Sequence, residues 1–137
     1  MNDDILVIKE LHKVYGQGTP NEIHALRGIN LRVKRGEMVA IMGPSGCGKT
    51  TLLNMIGGLD VPTSGMVKID ETDISTFTDG EITAFRRDNI GYVFQLFNLF
   101  DYMSAQENVM IPLLAQGYSF SEASRKATTM LRDVGLG

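Results

Sequence analysis

The chain has 137 residues, 43% of them apolar, with 13 basic and 16 acidic side chains and a net charge of −3. This length suits one domain with a real core, the apolar share excludes a disordered chain, and the mild acidity argues against a nucleic-acid-binding face. The one cysteine, Cys47, excludes an internal disulfide and fits a reducing compartment.

The start, Met1-Asn2-Asp3-Asp4, is acidic and lacks the basic opening of a secretory signal. Ile5–Ile8 predicts a strand. Tyr15–Asn21, with Gly16, Gly18 and Pro20, predicts a loop. Between His24 and Arg35, Leu31 and Val33 alternate with Arg32 and Lys34, which predicts a half-exposed strand ended by Arg35-Gly36. Met38–Met42 is an apolar run of strand length. After the glycine-rich segment 43–50, Leu52, Leu53 and Ile56 recur at helical spacing and Gly57-Gly58 stops the helix. Asp60–Gly65 predicts a turn and Met66–Asp70 a short strand. The first seventy or so residues therefore predict a small antiparallel sheet beside one buried phosphate-binding unit.

Further on, Asp79–Arg87 predicts a helix with Asp79 as N-cap, Ile82 and Phe85 on one face, and Arg86-Arg87 on a solvated one. Ile90–Phe94 predicts a strand ending at Gln95. An apolar stretch runs from Leu96 to Met103. Ser104 with Glu107, and Ser119 with Glu122, have capping-box spacing. The last helix places Ala123, Ala127, Met130, Leu131 and Val134 on one face, and Gly135-Leu136-Gly137 ends it. There is no internal repeat and no run of about eighteen apolar residues that could span a bilayer.

Gly43-Pro44-Ser45-Gly46-Cys47-Gly48-Lys49-Thr50 fits G-x-x-x-x-G-K-[ST], a phosphate-binding loop between a strand and a helix. Gly43, Gly46 and Gly48 let the backbone turn and approach a ligand without Cβ clashes. Successive N–H groups then form a nest for phosphate oxygens, and the helix adds its positive end. Lys49 supplies a cation for the β- and γ-phosphates, and Thr50 a hydroxyl where Mg²⁺ would sit. Cys47 is read as an ordinary small residue within this nucleotide-binding loop. His12 and His24 both precede it and are read as surface residues.

Four further features accompany the loop in order: Tyr15 in Lys13-Val14-Tyr15-Gly16, the segment Gly58-Leu59-Asp60-Val61-Pro62-Thr63-Ser64-Gly65, Gln95 after Gly91-Tyr92-Val93-Phe94, and Glu107-Asn108-Val109 opening a helix. In this order and spacing the chain resembles the nucleotide-binding domain of an ABC transporter. Arg86-Arg87-Asp88 before the Gln95 strand makes it most like the lipoprotein-release and macrolide-export type, although Asp101 stands where a proline is common. The resemblance implies an α/β P-loop NTPase (RecA-like) core with an antiparallel β-subdomain in residues 1–95 and the start of a helical subdomain in 96–137. It also implies ATP and Mg²⁺ as ligands. Tyr15 would stack on adenine. Ser45, Gly46, Gly48 and Lys49 would cradle the β- and γ-phosphates, Thr50 would ligate Mg²⁺, and Thr51 would reach the α-phosphate. Gln95 would contact the metal and the attacking water, making Lys49 and Gln95 the catalytic pair in this chain. Phe97, Leu99, Phe100, Tyr102 and Met103 are either core of the helical subdomain or a border of the groove that receives a membrane permease subunit.

The sequence holds no Leu-Ser-Gly-Gly-Gln signature, no apolar strand ending in Asp-Glu, and no switch histidine after it. The expectation is therefore an incomplete domain, a fragment of a longer protein or one needing a complementary piece, unable to hydrolyse ATP alone. The complete domain would form an ATP-dependent dimer, bind a permease rather than nucleic acid, and sit on the cytoplasmic face of the inner or plasma membrane. The alternatives are a non-catalytic nucleotide-binding module and a fragment with no retained affinity.

Overall fold

The computed structural model describes residues 3–136. Met1, Asn2 and Gly137, which belong to the predicted acidic start and terminal stop, lie outside the described residues. Contacts divide the chain into two compact units, the first ending at Thr83 and the second beginning at Ala84.

The first unit is built on β1 (Asp4–Tyr15), β2 (Ile23–Lys34), β3 (Ser64–Ile69) and β4 (Thr72–Asp73), joined in one antiparallel sheet of order β2-β1-β3-β4. β1 is central because its apolar run Leu6, Val7, Ile8 and Leu11 is buried while its neighbours are half-exposed. Ile8 pairs with Leu31 on one side and Val67 on the other. The register slips between Ile8 and Leu11, where Glu10 takes φ 45°. Asn30 holds this bulge by accepting from the Glu10 amide at 3.0 Å. Gly65 is required opposite it, because a Cβ there would stand 2.2 Å from the Glu10 carbonyl oxygen.

Between β2 and β3 lies α1 (Lys49–Ile56), which buries Leu52 and Met55. The predicted inward face is thus shifted: Leu53 is 45% exposed, whereas Met55 is almost wholly enclosed. The helix ends as Gly57-Gly58 predicted. Gly58 takes φ 60°, its amide donates to the Met55 carbonyl at 3.2 Å, and the Leu59 amide donates to that of Asn54 at 2.9 Å. These two bonds make a Schellman cap, which glycine permits at low cost.

Two predicted strands are not formed. Met38–Met42 is irregular, with Met38 and Met42 almost fully exposed, and Ile90–Phe94 is likewise irregular, with Val93 exposed. An isolated strand cannot satisfy its backbone groups through a ladder, and an apolar run of this kind suits a sheet covered on both faces. Among the described residues neither segment finds a partner strand. The phosphate-binding loop is consequently exposed rather than buried, with only Gly48 and Lys49 half-enclosed.

A short 3₁₀ turn, Ile74–Thr76, follows β4 and leads to α2 (Asp79–Asn89), which spans the boundary between the units. Its cap is Thr78, not Asp79. The Thr78 amide donates to the Glu81 carboxylate at 2.8 Å, and the Glu81 amide donates back to the Thr78 hydroxyl at 3.4 Å. Arg87 is exposed and forks onto Asp88 at 2.7 and 2.8 Å, while Arg86 is half-buried.

The second unit is a helical hairpin of α3 (Ala105–Ala115) and α4 (Phe120–Asp133), each opened by the predicted capping box at Ser104–Glu107 and Ser119–Glu122. Met110 and Leu113 pack with Ala123 and Ala127, with Val109 against them. Gln106 joins the helices through hydrogen bonds to the Ser124 and Thr128 hydroxyls at 3.0 and 2.9 Å. Of the other residues predicted on the α4 face, Leu131 is half-buried, while Met130 and Val134 are exposed. The whole is a P-loop NTPase-like arrangement, an antiparallel sheet followed by helices.

Candidate functional site

The 43–50 loop is shaped by its glycines and closed by its lysine. Gly46 and Gly48 take φ 79° and 93°. At Gly48 a Cβ would stand 2.6 Å from the Ala25 carbonyl oxygen, so glycine alone lets the loop rest against β2. Gly48 is also the N-cap of α1 and contributes no side-chain bond. The first amides of the helix are therefore not capped by the side chain at that position, as an anion site needs.

Lys49 folds back over the loop. Its ammonium donates to the carbonyl oxygens of Gly43 at 2.9 Å and Pro44 at 2.7 Å, and lies 3.6 Å from the Cys47 sulfur. A positive charge is thereby held at the mouth of the loop, with the exposed Ser45 and Gly46 between its anchor points. Thr50 is exposed and Thr51 half-buried on the first turn of α1. Backbone nest, helix end, ammonium and adjacent hydroxyls form a donor set suited to a polyphosphate and its magnesium ion.

Tyr15 ends β1 and is 38% exposed. Its hydroxyl donates to Asp60 Oδ2 at 2.9 Å. Burial first, and then the bond to Asp60, raise its phenol above the ordinary value, with a hydrogen bond to Thr51 acting the other way. Tyr15 is thus linked to the helix that carries Lys49. Asp60 also receives the Lys13 ammonium at 2.7 Å. Partial burial pushes the Asp60 carboxyl up, but the bonds from Lys13, Tyr15 and the Val61 amide outweigh it and leave the group below its ordinary value. Lys13 and Asp60 stand within the motifs around Tyr15 and Gly58–Gly65, yet no local pattern assigns either a role. They lie 47 positions apart, and no spacing rule connects them.

His24 is exposed and bonds to Glu22 at 2.8 Å, whereas His12 is half-buried in β1. An open groove over β1 and β2, lined by residues such as Lys9, Asn30 and Arg32, contains none of the predicted site residues.

Gln95 belongs to the second unit, exposed in a bend of the irregular segment before α3. The apolar side chains after it are mostly outward: Phe97, Leu99, Phe100 and Tyr102 are exposed, and only Met103 is half-buried. Core is therefore not the role of the first four among the described residues. Asn108 fastens this stretch to α3. Its Oδ1 accepts from the Phe100 amide at 2.8 Å, and its Nδ2 donates to carbonyl oxygens of Phe100, Met103 and Ser104 at 3.0–3.2 Å. Among the described residues no helix is long and apolar enough to cross a membrane.

The sequence profile described as ABC transporter matches residues 26–137. The lipoprotein-releasing system ATP-binding protein LolD of Legionella pneumophila (strain Paris) is 41% identical over 136 residues, which is 99% of this chain and 60% of that protein. The macrolide export ATP-binding/permease protein MacB of Mannheimia succiniciproducens is 40% identical over 133 residues, 97% of this chain and 20% of that protein. The dimeric post-hydrolysis structure of the ATP-binding cassette MJ0796, bound to ADP and Pi, superposes with a TM-score of 0.85 at 45% identity, covering 93% of this chain and 56% of that one. The chain thus spans about three fifths of the length of the LolD protein it resembles.

Proposed function

This chain belongs to the ABC transporter family, and on that premise we propose that it is the ATP-binding part of a transporter ATPase subunit, with MgATP held on the 43–50 loop. The observation that carries the reading is the Lys49 ammonium held by the Gly43 and Pro44 carbonyl oxygens beside the α1 N-terminus. It is supported by the MJ0796 cassette, which carries ADP and Pi at 45% identity to this chain.

Each group has a distinct task in this reading. The amides of the loop, with Gly43, Ser45, Gly46, Cys47 and Gly48, bind phosphate oxygens and fix the chain of phosphates. Lys49 exchanges its carbonyl partners for the β- and γ-phosphates. Thr50 would hold Mg²⁺, and Thr51 would reach the α-phosphate. Tyr15 stacks on the base, a sequence-tolerant contact worth about 1–3 kcal/mol in related base–aromatic pairs. By the family resemblance, Gln95 would contact the metal and the attacking water in the whole protein. Mg²⁺, when bound there, would supply positive charge that neutralises the phosphate oxygens.

In the whole protein, this unit would dimerise around ATP and move a membrane permease partner from the cytoplasmic face, in the manner of the lipoprotein-release and macrolide-export systems. It would not bind nucleic acid. Residues 1–95 would carry the nucleotide, and 96–137 would open the helical subdomain. The exposed apolar stretch Phe97–Tyr102 would border the permease contact.

Equilibrium dialysis of the 137-residue chain against MgATP tests the reading. The expected result is saturable binding that inorganic triphosphate displaces. Retention that triphosphate cannot displace would remove the loop as the site.

A further inference from the structure

We propose that Asp60 is a positioning residue for the nucleotide base: its carboxylate fixes the Tyr15 ring in the orientation that stacks on adenine. The inference rests on the reading of Tyr15 given above.

The two carboxylate oxygens divide their work. Oδ2 accepts from the Tyr15 hydroxyl at 2.9 Å, and Oδ1 accepts from the Lys13 ammonium and the Val61 amide, both at 2.7 Å. Lys13 closes the triangle, lying 4.8 Å from the Tyr15 ring centroid and donating to the Val61 carbonyl at 2.7 Å. Its side chain is only 12% exposed and that of Asp60 30%, so the pair is partly shielded from solvent.

Asp60 is itself held in place. The Schellman cap of α1 delivers the chain to it through the Leu59–Asn54 bond. The turn that follows is tied to β1, where the Thr63 amide donates to the His12 carbonyl and the Val14 amide to the Thr63 hydroxyl, each at 2.9 Å. Asp60 thus joins the end of the helix carrying Lys49 to the end of the strand carrying Tyr15. Without it, the Tyr15 hydroxyl would keep only its bond to Thr51, and the ring would be held less firmly about its side-chain bonds. Lys13 lies over one face of the ring, and Tyr15 keeps 38% of its surface exposed for contact with a purine.

A double-mutant cycle in the full chain tests this, reading calorimetric affinities for MgATP and for magnesium triphosphate. Tyr15→Phe removes only the hydroxyl. Asp60→Asn keeps one good acceptor, too few for the three donors that converge there. Each substitution is expected to weaken MgATP about 3- to 10-fold while triphosphate changes less than about 2-fold. The double variant is expected to lose clearly less MgATP affinity than the product of the two single losses, because the Tyr15–Asp60 bond is common to both, although Tyr15→Phe also removes the bond to Thr51 and Asp60→Asn also loosens Lys13.

Losses that multiply in the double variant would overturn the proposal, as would equal losses for the two ligands, which would mark Asp60 as merely structural. Should Asp60→Asn fail to fold by circular dichroism, Tyr15→Phe decides alone, and wild-type MgATP affinity in that variant overturns the proposal. Tyr15→Ala separates the two readings. If it loses ATP affinity while Tyr15→Phe does not, stacking stands and positioning falls. If it binds MgATP as tightly as the wild type, or if the wild type binds no nucleotide, both fall.

Discussion

The Lys49 ammonium donates to the Gly43 carbonyl oxygen at 2.9 Å, six residues back across the phosphate loop. That bond ties the end of the loop to its beginning and keeps a full positive charge where the backbone turns. The same oxygen, a partner of the ammonium here, is one that an anionic ligand would compete with. The loop's electrostatics and its shape therefore depend on one side chain, and on the glycines that let the backbone close around it.

Those glycines should differ in what they tolerate. Gly48 combines φ 93° with a Cβ position only 2.6 Å from the Ala25 carbonyl, whereas Gly46 at φ 79° faces open space. Gly48→Ala is expected to destabilise the chain by about 2–3 kcal/mol, from both backbone strain and the clash. Gly46→Ala should cost about 1–2 kcal/mol, from conformation alone. Urea unfolding of the two variants measures the difference, and equal costs would contradict the contact with β2.

The base and phosphate contributions should separate. Tyr15→Ala is expected to weaken MgATP about 5- to 150-fold, the range of a base–aromatic stack. Inorganic triphosphate should bind almost as before. Competition dialysis with the two ligands checks this, and parallel losses would remove the stacking role.

The inward face of α1 gives a stability test. Met55 is 1% exposed and Leu53 45%. Met55→Ala should cost about 2–5 kcal/mol through lost burial and the cavity left behind. Leu53→Ala should stay within about 0.5 kcal/mol, as surface changes do. Thermal or urea denaturation followed by circular dichroism reads both.

Acid should weaken the helix caps. The Thr78 amide, with its hydroxyl, lowers the Glu81 carboxyl, and hydrogen bonds from Ser104 and Ser119 do the same for Glu107 and Glu122. A depressed folded value means that the stabilisation is fully present above the ordinary value of 4.5 and is lost as pH falls through the folded value. Thermal midpoints should therefore hold from pH 7 to about 5 and fall below that. Ser119→Ala should make the acid-induced fall smaller, since Glu122 then loses the hydroxyl bond that lowers it most, while the residue-119 amide remains.

Much of this architecture could be read before any coordinates. The phosphate loop, the Gly57-Gly58 stop and both serine capping boxes are local devices, and local rules found them. The cap of α2 was legible too, since Thr78 and Glu81 have capping-box spacing, but the acidic Asp79 beside them is an equally common cap type. The runs 38–42 and 90–94 have strand composition but no strand, because a strand is defined by its partner and composition does not supply one. The Tyr15–Asp60–Lys13 cluster was beyond local rules for a related reason. It joins residues separated by β2, the phosphate loop and α1, and the antiparallel return of β3 along β1 brings them together.

The most direct test of the account is a calorimetric titration of MgATP into the folded chain and into its Lys49→Ala variant. The account predicts saturable heat from the wild type and at least an approximately hundredfold loss of affinity in the variant, the order expected when a charge-assisted contact to phosphate is removed. Equal affinity in the two proteins would contradict it, because the 43–50 loop would then not be where phosphate binds.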